Sequence, residues 1–531
     1  MQRHLNIADY YDIAVIGGGI HGAAIAWEAA RNGYSVLLVE RRDFVSGASS
    51  NSLKIIHGGL RYLQGLDWSR SRASALEQER LMKLAPHWIR PLPCAMPTYG
   101  DVMKSRLALR AGLWLYDHCI RSRAMARQWP GSVSTLDRLS QLAPLPDKPE
   151  MTGVARWYDA QVHNSERLVL AYLWSARALG AQVVNHTGLE VAADMSRGVR
   201  ELTLTDKVTG TIYRTAARHL VDTAAVMPDD HSVELVRGVN LVLTERLSDW
   251  AIGLAHRSHQ VRGHAASRLL FFTPWRNVTL VGTWYFADRP ELGDKVSRVE
   301  LDECVDDVAA VWPQFAAAAS HPEAIHVGRL PVTAGGRSVR QLLERPRIEL
   351  NARQQITRVT GVKYTTARLV AGETVSRLAG HVAPSGAAAA LVLHGAEFHD
   401  LKEFYVSQQQ RYADMLPAPV LRRLVYEYGS EMDQVMERCR VEQNFDTIVD
   451  ADDVLQVEVA HAVEDEMAVH LDDVLLRRLG IGTARRAPAA TINHCTQLMA
   501  HLMNWDAERS TAEKARMLRY YERVVPAPVE N

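Results

Sequence analysis

The sequence predicts a mixed α/β fold: a dinucleotide-binding parallel sheet, an antiparallel sheet beside it, and a helical C-terminal region. Three observations carry this. A βαβ unit with a glycine fingerprint occupies residues 12–40. Apolar runs alternate with turns from 238 to 283, and beyond about residue 396 the sequence is charged, helical and without glycine-rich turns.

The elements follow in chain order. Residues 12–16 (DIAVI) are a short apolar run of the kind that forms a buried parallel strand. Gly17, Gly18, Gly19, Ile20, His21 and Gly22 come next, and 23–32 reads as a helix. Gly17 permits the tight turn, Gly19 lets backbone approach a pyrophosphate, and Gly22 lets helix and strand pack closely. A pyrophosphate then sits on the helix N-terminus, beside Ile20 and His21, where N–H groups and the macrodipole favour negative charge. Residues 34–39 form the next strand, ending at Glu40 and Arg41, with Glu40 placed to accept from a ribose hydroxyl. Residues 166–180 have helical periodicity with a glycine stop, 181–185 read as a strand, and 191–213 as an antiparallel meander. The apolar runs 239–243, 269–272 and 278–282 read as sheet, and 356–379 as strand, turn and helix. Residues 454–478 have apolar spacing of period 3.6.

Composition bounds the function classes. A chain of 531 residues exceeds one compact core, so two or three domains are expected. With 61 basic and 61 acidic residues there is no global field for nucleic acid. Cys94, Cys119, Cys304, Cys439 and Cys495 are odd in number, scattered and lack CxxC spacing, which argues for a reducing compartment and against a metal site or disulfide framework. The first eleven residues are polar without an apolar signal core, and no run of about 18 apolar residues occurs. The expected location is therefore cytoplasmic. Residues 106–127 are basic and amphipathic, read as a helix packed on its neighbours, with peripheral contact at the inner face of a membrane as the alternative.

A second motif, residues 48–63 (ASSNSLKIIHGGLRYL), is poor core material; small hydroxyl residues and glycines suit a loop wrapped around a phosphate and a flat ring. It resembles the signature of FAD-dependent glycerol-3-phosphate dehydrogenases. Residues 361–368 (GVKYTTAR) resemble that family's GGKLTTYR turn, and Asp472, Asp473, Arg477 and Arg478 resemble a charge pattern of its C-terminal helices, read as pairing between helices. The resemblance implies non-covalent FAD on a glutathione-reductase/amino-acid-oxidase type Rossmann-like domain. It places Ser49, Ser50, Ser52, Lys54, His57, Gly58, Gly59, Gly361, Lys363, Tyr364 and Thr365 by the flavin, the backbone of Val183 at the adenine, and Arg61 and Tyr62 at the substrate. It further implies an FAD-binding domain of residues 1–85, 150–235 and 345–385, a substrate domain of 86–149 and 236–344 whose sheet roofs the flavin, and a helical domain of 395–531.

Departures from the family pattern lie mostly where substrate is held. An Asn-Ala-Thr-Gly-Pro-Trp run is replaced by Asp222, Thr223, Ala224, Ala225, Val226 and Met227. The family's Gly-Ser-His histidine becomes Asn240, and its Gly-Thr-Thr-Asp turn becomes Gly282-Thr283-Trp284-Tyr285. Its Gly-Val-Arg-Pro arginine is moved one residue to Arg329, which reaches the site from a loop but turns away on a strand. Oxidation of a CH–OH group needs a hydride acceptor, a base and cations for an anionic substrate. Arg61, Arg329, Arg345 and Lys363 supply cations; His57 is the nearest titratable group, either a base or an element that hydrogen-bonds backbone. The leading expectation is an FAD-dependent dehydrogenase or oxidase passing hydride from a small anionic substrate to flavin N5. The alternatives are the same fold acting on another hydroxy compound or amine, and a non-catalytic flavoprotein scaffold. With Trp284 and Tyr285 in it, the pocket is expected to be aromatic and poor for glycerol 3-phosphate. No motif identifies the electron acceptor among oxygen, quinone and protein, or the oligomeric state.

Overall fold

The computed structural model describes residues 5–100, 104–135, 150–196, 198–224, 234–257, 267–332, 345–361, 363–379 and 393–525. Two large sheets dominate it. In the first, the strands run in the order Arg347–Asn351, Ile356–Thr360, Ile212–Asp222, Tyr10–Ile16, Val36–Val39, Gln182–Val184. The four pairings from Ile356–Thr360 to Gln182–Val184 are parallel. Their near-continuous apolar runs are what a sheet covered on both faces requires. Thr187–Val191 and Arg200–Asp206 complete the expected antiparallel meander with Ile212–Asp222.

Helices Ile20–Arg31, Ser165–Ala178 and Ala367–Leu378 pack together on this sheet. Trp27 and Tyr172 meet edge-to-face at 5.3 Å between two of them, both fully buried. Burying one such side chain contributes about 1.5–3 kcal/mol.

The second sheet has the order Ala324–Pro331, Leu235–Leu243, Val278–Ala287, Ser267–Trp275, Ala251–Arg257, Ile89–Tyr99, Met151–Val162, Ile55–Ile56. One face is sealed by helix Arg298–Val311 over a core including Val239, Leu241, Trp284 and Phe286. Met151–Val162, expected within the FAD-binding segment 150–235, instead pairs along its whole length with Ile89–Tyr99, so it belongs to the antiparallel sheet.

Residues 106–127 are helical in pieces: Arg106–Leu115, a wider turn Tyr116–Ile120, then Arg123–Gln128. Leu113, Tyr116, Ile120 and Met125 face inward, while Leu107 and Trp114 are 80% and 59% exposed. No helix among the described residues is long and apolar enough to cross a membrane.

The single helix suggested by the periodicity of 454–478 is broken. A strand, Ala451–Leu455, precedes helix Val457–Glu464, and Met467 adopts a left-handed φ of 60° before the chain turns into Asp473–Arg478. The charged break at Asp465 and Glu466 is held by Arg438 and Arg167 respectively, so tertiary pairing overrides the helical period. Asp473, Arg477 and Arg478 do not pair between C-terminal helices alone. Both arginines reach Asp43, and Asp473 reaches His186, across to the nucleotide-binding sheet.

Candidate active site

The dinucleotide end is set by close backbone contact. Gly17 has φ +105°, and a Cβ on Gly22 would lie 1.9 Å from the Gly17 carbonyl oxygen. Helix Ile20–Arg31 has no acidic residue in its first turn, and the Ile20 N–H donates to the Ser49 hydroxyl at 3.0 Å. Glu40 sits beside this turn, accepting from the Gly18 N–H at 2.8 Å and the Arg42 N–H at 2.9 Å. The Glu40 N–H donates to the Val184 carbonyl, so Val183, buried in its strand, lies next to it. Arg41 is exposed and uses its carbonyl to hold Lys207.

FAD fits these residues. His21 is half-buried as a residue, but both its ring nitrogens are enclosed and neither is bonded among the described residues; its ring occupies the space a Gly361 Cβ would need. Burial pushes its pKa down to about 4, leaving a neutral imidazole between the helix N-terminus and the 361–368 turn. Orphaned polar atoms beside an anion-ready helix end are what a pyrophosphate and ribityl chain would complete. Of the altered segment, Thr223 donates to the Ile16 carbonyl at 2.8 Å and walls Gly17 and Gly22; Ala225, Val226 and Met227 lie outside the described residues.

The serine-rich loop crosses the open face of the antiparallel sheet. Ala48 lies against Gly328, Leu53 packs near Val242, and Ile55–Ile56 pairs with Ala160 and Gln161. Ser50 donates to the Gly47 carbonyl, and Ser52 accepts from the Lys54 N–H, so both hydroxyls brace the loop itself. A Cβ on Gly58 would meet the Tyr116 hydroxyl at 2.1 Å, and Gly59 (φ +87°) lies against Ser71 and Ser74. At the loop's end His57 meets the buried Asp159: Nδ1 and Oδ2 are 3.2 Å apart.

The turn at 361–368 meets the same loop. Lys363 donates to the Tyr62 hydroxyl and stands 4.4 Å from the Tyr62 ring centre. Arg61 is exposed beside it. The Tyr364 hydroxyl instead donates to the Ser165 carbonyl at 2.8 Å and Thr365 is buried, which leaves their backbone as the part available to a flavin.

Several expected cations are committed elsewhere. Lys54 is fully buried and bonded to Glu166, Ser165 and the Ser50 carbonyl, so it braces the loop from behind instead of facing a ligand. Arg329 lies on strand Ala324–Pro331 opposite Arg237, not on a loop. The one-residue slip turns it away from the face that Gly328 presents to Ala48, and Asp288 binds it at 2.8 and 2.5 Å. Arg345 is exposed and paired with Asp67 at 2.6 Å. Alternation also divides the aromatic pair. Trp284 points into the helix-covered core and donates to Asp307, correcting the expectation that it bulks the pocket. Tyr285, opposite Gly238, is on the loop side. Asn240 is buried and accepts from Thr283 at 2.7 Å.

Asp159 is the residue that sequence reasoning missed. Its signal was an isolated carboxylate inside an apolar strand, Met151–Val162. Besides His57 it accepts from the Gly58 N–H at 2.8 Å, Gln78 at 3.3 Å and Trp157 at 3.4 Å. Burial alone would raise its carboxyl; these donors outweigh that and hold it below its ordinary value.

Known proteins agree with this architecture. Residues 12–352 match the FAD dependent oxidoreductase family, and residues 387–510 match the C-terminal domain of alpha-glycerophosphate oxidase. Glycerol-3-phosphate dehydrogenase of Pseudomonas tolaasii is 30% identical over 400 residues, covering 70% of this chain and 72% of that protein. The Mycobacterium leprae enzyme of the same name is 27% identical over 531 residues, covering 96% and 87%. The crystal structure of the glycerol-3-phosphate dehydrogenase from Bacillus halodurans complexed with FAD has the same fold, with a TM-score of 0.75 at 22% identity over 98% of this chain and 96% of that one. The chain belongs to the FAD-dependent oxidoreductase family, as a flavoenzyme resembling the glycerol-3-phosphate dehydrogenases.

Proposed function

We propose that the chain oxidises a CH–OH or CH–NH group of a small substrate carrying one anionic group, and that glycerol 3-phosphate is a poor substrate. The observation that carries this is the Lys363–Tyr62 hydrogen bond, which joins the two family motifs over 301 residues; Lys363 and Arg61 stand 4.4 and 5.8 Å from the centre of the same Tyr62 ring. Bound flavin supplies the hydride acceptor. Arg61 and Lys363 hold the anion, the serine-rich loop orients the ring system, and the antiparallel sheet excludes water. The cations a phosphate would need are reduced, since Arg329, Arg345 and Lys54 are held by Asp288, Asp67 and Glu166. Tyr285 replaces the family's carboxylate and Asn240 its imidazole, so hydroxyl-rich substrates leave polar groups without partners, at about 1–3 kcal/mol each.

Among the described residues we assign 5–85, about 164–224 and 345–379 to FAD binding, with Glu40 on the ribose. An anaerobic screen watching bleaching of the flavin band tests the reading. The expected result is reduction by a larger or more apolar anionic alcohol or amine, with kcat/KM for glycerol 3-phosphate below about 10⁴ M⁻¹s⁻¹; a higher value defeats the pocket argument. On the substrate so found, Arg61→Ala is expected to keep flavin and fold while kcat/KM falls roughly ten- to a hundredfold, the loss of one charge-assisted contact. Wild-type rates in that variant remove Arg61 from the site.

A further inference from the structure

We propose that Asp159 is a positioning residue that holds His57 in the one tautomer able to take a proton from substrate. This rests on the dehydrogenase reading above. Gly282 is opposite both Asn240 and Phe271 on its two neighbouring strands, so these side chains share a face of the antiparallel sheet. Ala48, Leu53 and His57 of the signature loop lie along that face, with the His57 ring 6.3 Å from Phe271, edge-on. The family's imidazole at position 240 is an amide here. His326, opposite Asn240, is fully enclosed and bonded to the Thr483 carbonyl. Among the described residues, His57 is the imidazole over this face with access, its side chain 54% exposed.

The tautomer follows from the donors. Asp159 Oδ1 accepts from the Gly58 N–H and from Gln78, while Oδ2 faces His57 Nδ1. An ionised carboxylate accepts only, so Nδ1 carries a proton, and in the neutral ring Nε2 is then the nitrogen with the lone pair. One carboxylate thus clamps the backbone of Gly58 and the ring of the preceding residue, which fixes the imidazole's direction as well as its proton. In the reaction the substrate's hydroxyl or amine proton passes to Nε2. FAD, when bound, would supply the two-electron acceptor for the hydrogen that leaves carbon with its electron pair, so that carbon's oxidation is balanced.

Asp159→Asn distinguishes positioning from packing. The Gly58 N–H cannot reverse its polarity, so it keeps the amide oxygen and turns the amide NH₂ toward His57 Nδ1. The imidazole is then forced into the Nε2–H tautomer and loses its acceptor. The test is ¹⁵N NMR of histidine-labelled holoenzyme, with the His57 signals assigned by their loss in His57→Gln, together with kinetics on the substrate identified above. Expected are an Nδ1–H imidazole in the wild type and an inverted one in Asp159→Asn. Expected too are a kcat lower by about 10²–10⁴ with little change in KM, and a double variant no worse than His57→Gln. A wild-type imidazole protonated on Nε2, a wild-type kcat in His57→Gln, or a loss confined to KM overturns the dyad and leaves the dehydrogenase reading standing. Flavin that no hydroxy or amino substrate bleaches overturns that reading, and the dyad with it. Should Asp159→Asn not fold, the wild-type tautomer and the His57→Gln kcat decide.

Discussion

Gly22→Ala is expected to yield protein without FAD. The new methyl carbon would stand 1.9 Å from the Gly17 carbonyl oxygen and 2.9 Å from the Thr223 hydroxyl. Atoms in van der Waals contact need more than 3 Å, and the closer obstacle is backbone in the fingerprint turn itself, so no rotamer relieves it. The helix must move off the strand. Overpacking of a core by one carbon costs about 1–3 kcal/mol, and a backbone clash lies at the top of that range. The displacement also carries the Ile20 N–H and its neighbours away from where a pyrophosphate docks. A loss of about 2.8 kcal/mol is a hundredfold in Kd, which fluorescence titration with FAD measures directly. Gly112→Ala is the control: nothing lies within 4 Å of its Cβ, and it sits in helix Arg106–Leu115. There alanine is neutral or stabilising by up to about 1 kcal/mol. If Gly22→Ala purifies yellow with wild-type affinity, the fingerprint does not hold the cofactor as described.

Local chemistry made the nucleotide-binding unit legible. Strand, glycines, helix and Glu40 stand consecutively in the chain, and each obeys a rule acting over a few residues. The same holds for the meander read at 191–213 and the strands read at 239–243, 269–272 and 278–282, whereas Ala251–Arg257 of the same sheet was not legible. What the sequence hid depended on pairing at long range. The site roles expected of Arg329 and Lys54 rested on family resemblance, whereas their partners, Asp288 and Glu166, are set by tertiary neighbours. Asp159 lies 102 residues from His57, and its membership in the antiparallel sheet shows only once Met151–Val162 finds Ile89–Tyr99. Trp284 and Tyr285 are adjacent in sequence and lie on opposite faces, a distinction that required the register of the strand. The break in 454–478 has the same origin: its apolar period is helical, but Arg167 and Arg438 hold the charged turn from outside the segment.

Asp43→Ala is expected to cost about 3–5 kcal/mol and to loosen the C-terminal helices from the nucleotide-binding sheet. The Asp43 side chain is 1% exposed and receives Arg477 Nε at 2.5 Å, Arg478 Nη1 and Nη2 at 2.8 and 2.9 Å, and Asn185 at 2.8 Å. Removing it leaves the fully enclosed Arg478 with the Glu466 carbonyl but no carboxylate on its guanidinium, while Arg477 keeps Asp472 and Asp473; a buried cation stripped of its counter-charge costs far more than an exposed pair. Asp249→Ala, whose partner Arg246 is itself 42% exposed, should change stability by less than about 1 kcal/mol. With several sheets and helices in 531 residues, unfolding is not expected to be two-state, so the comparison is made as a shift in thermal midpoint, roughly 5–10 °C for Asp43→Ala. The sign of the pH effect follows from the carboxylates. Burial raises Asp43 and Asp473, but Arg478 and Arg477 outweigh it and hold both below their ordinary 3.8. A depressed carboxylate contributes its full stability above the unfolded value and loses it as pH falls through the folded one. The wild-type midpoint should therefore fall steeply only below about pH 4, and the Asp43→Ala midpoint less steeply over the same interval. Because Asp43 lies three residues beyond Glu40, the variant is also expected to release FAD more readily, measured as a faster rise of free-flavin fluorescence on heating. A thermal midpoint within 1–2 °C of wild type would show that the arginines find other partners and that this contact does not fasten the C-terminal region.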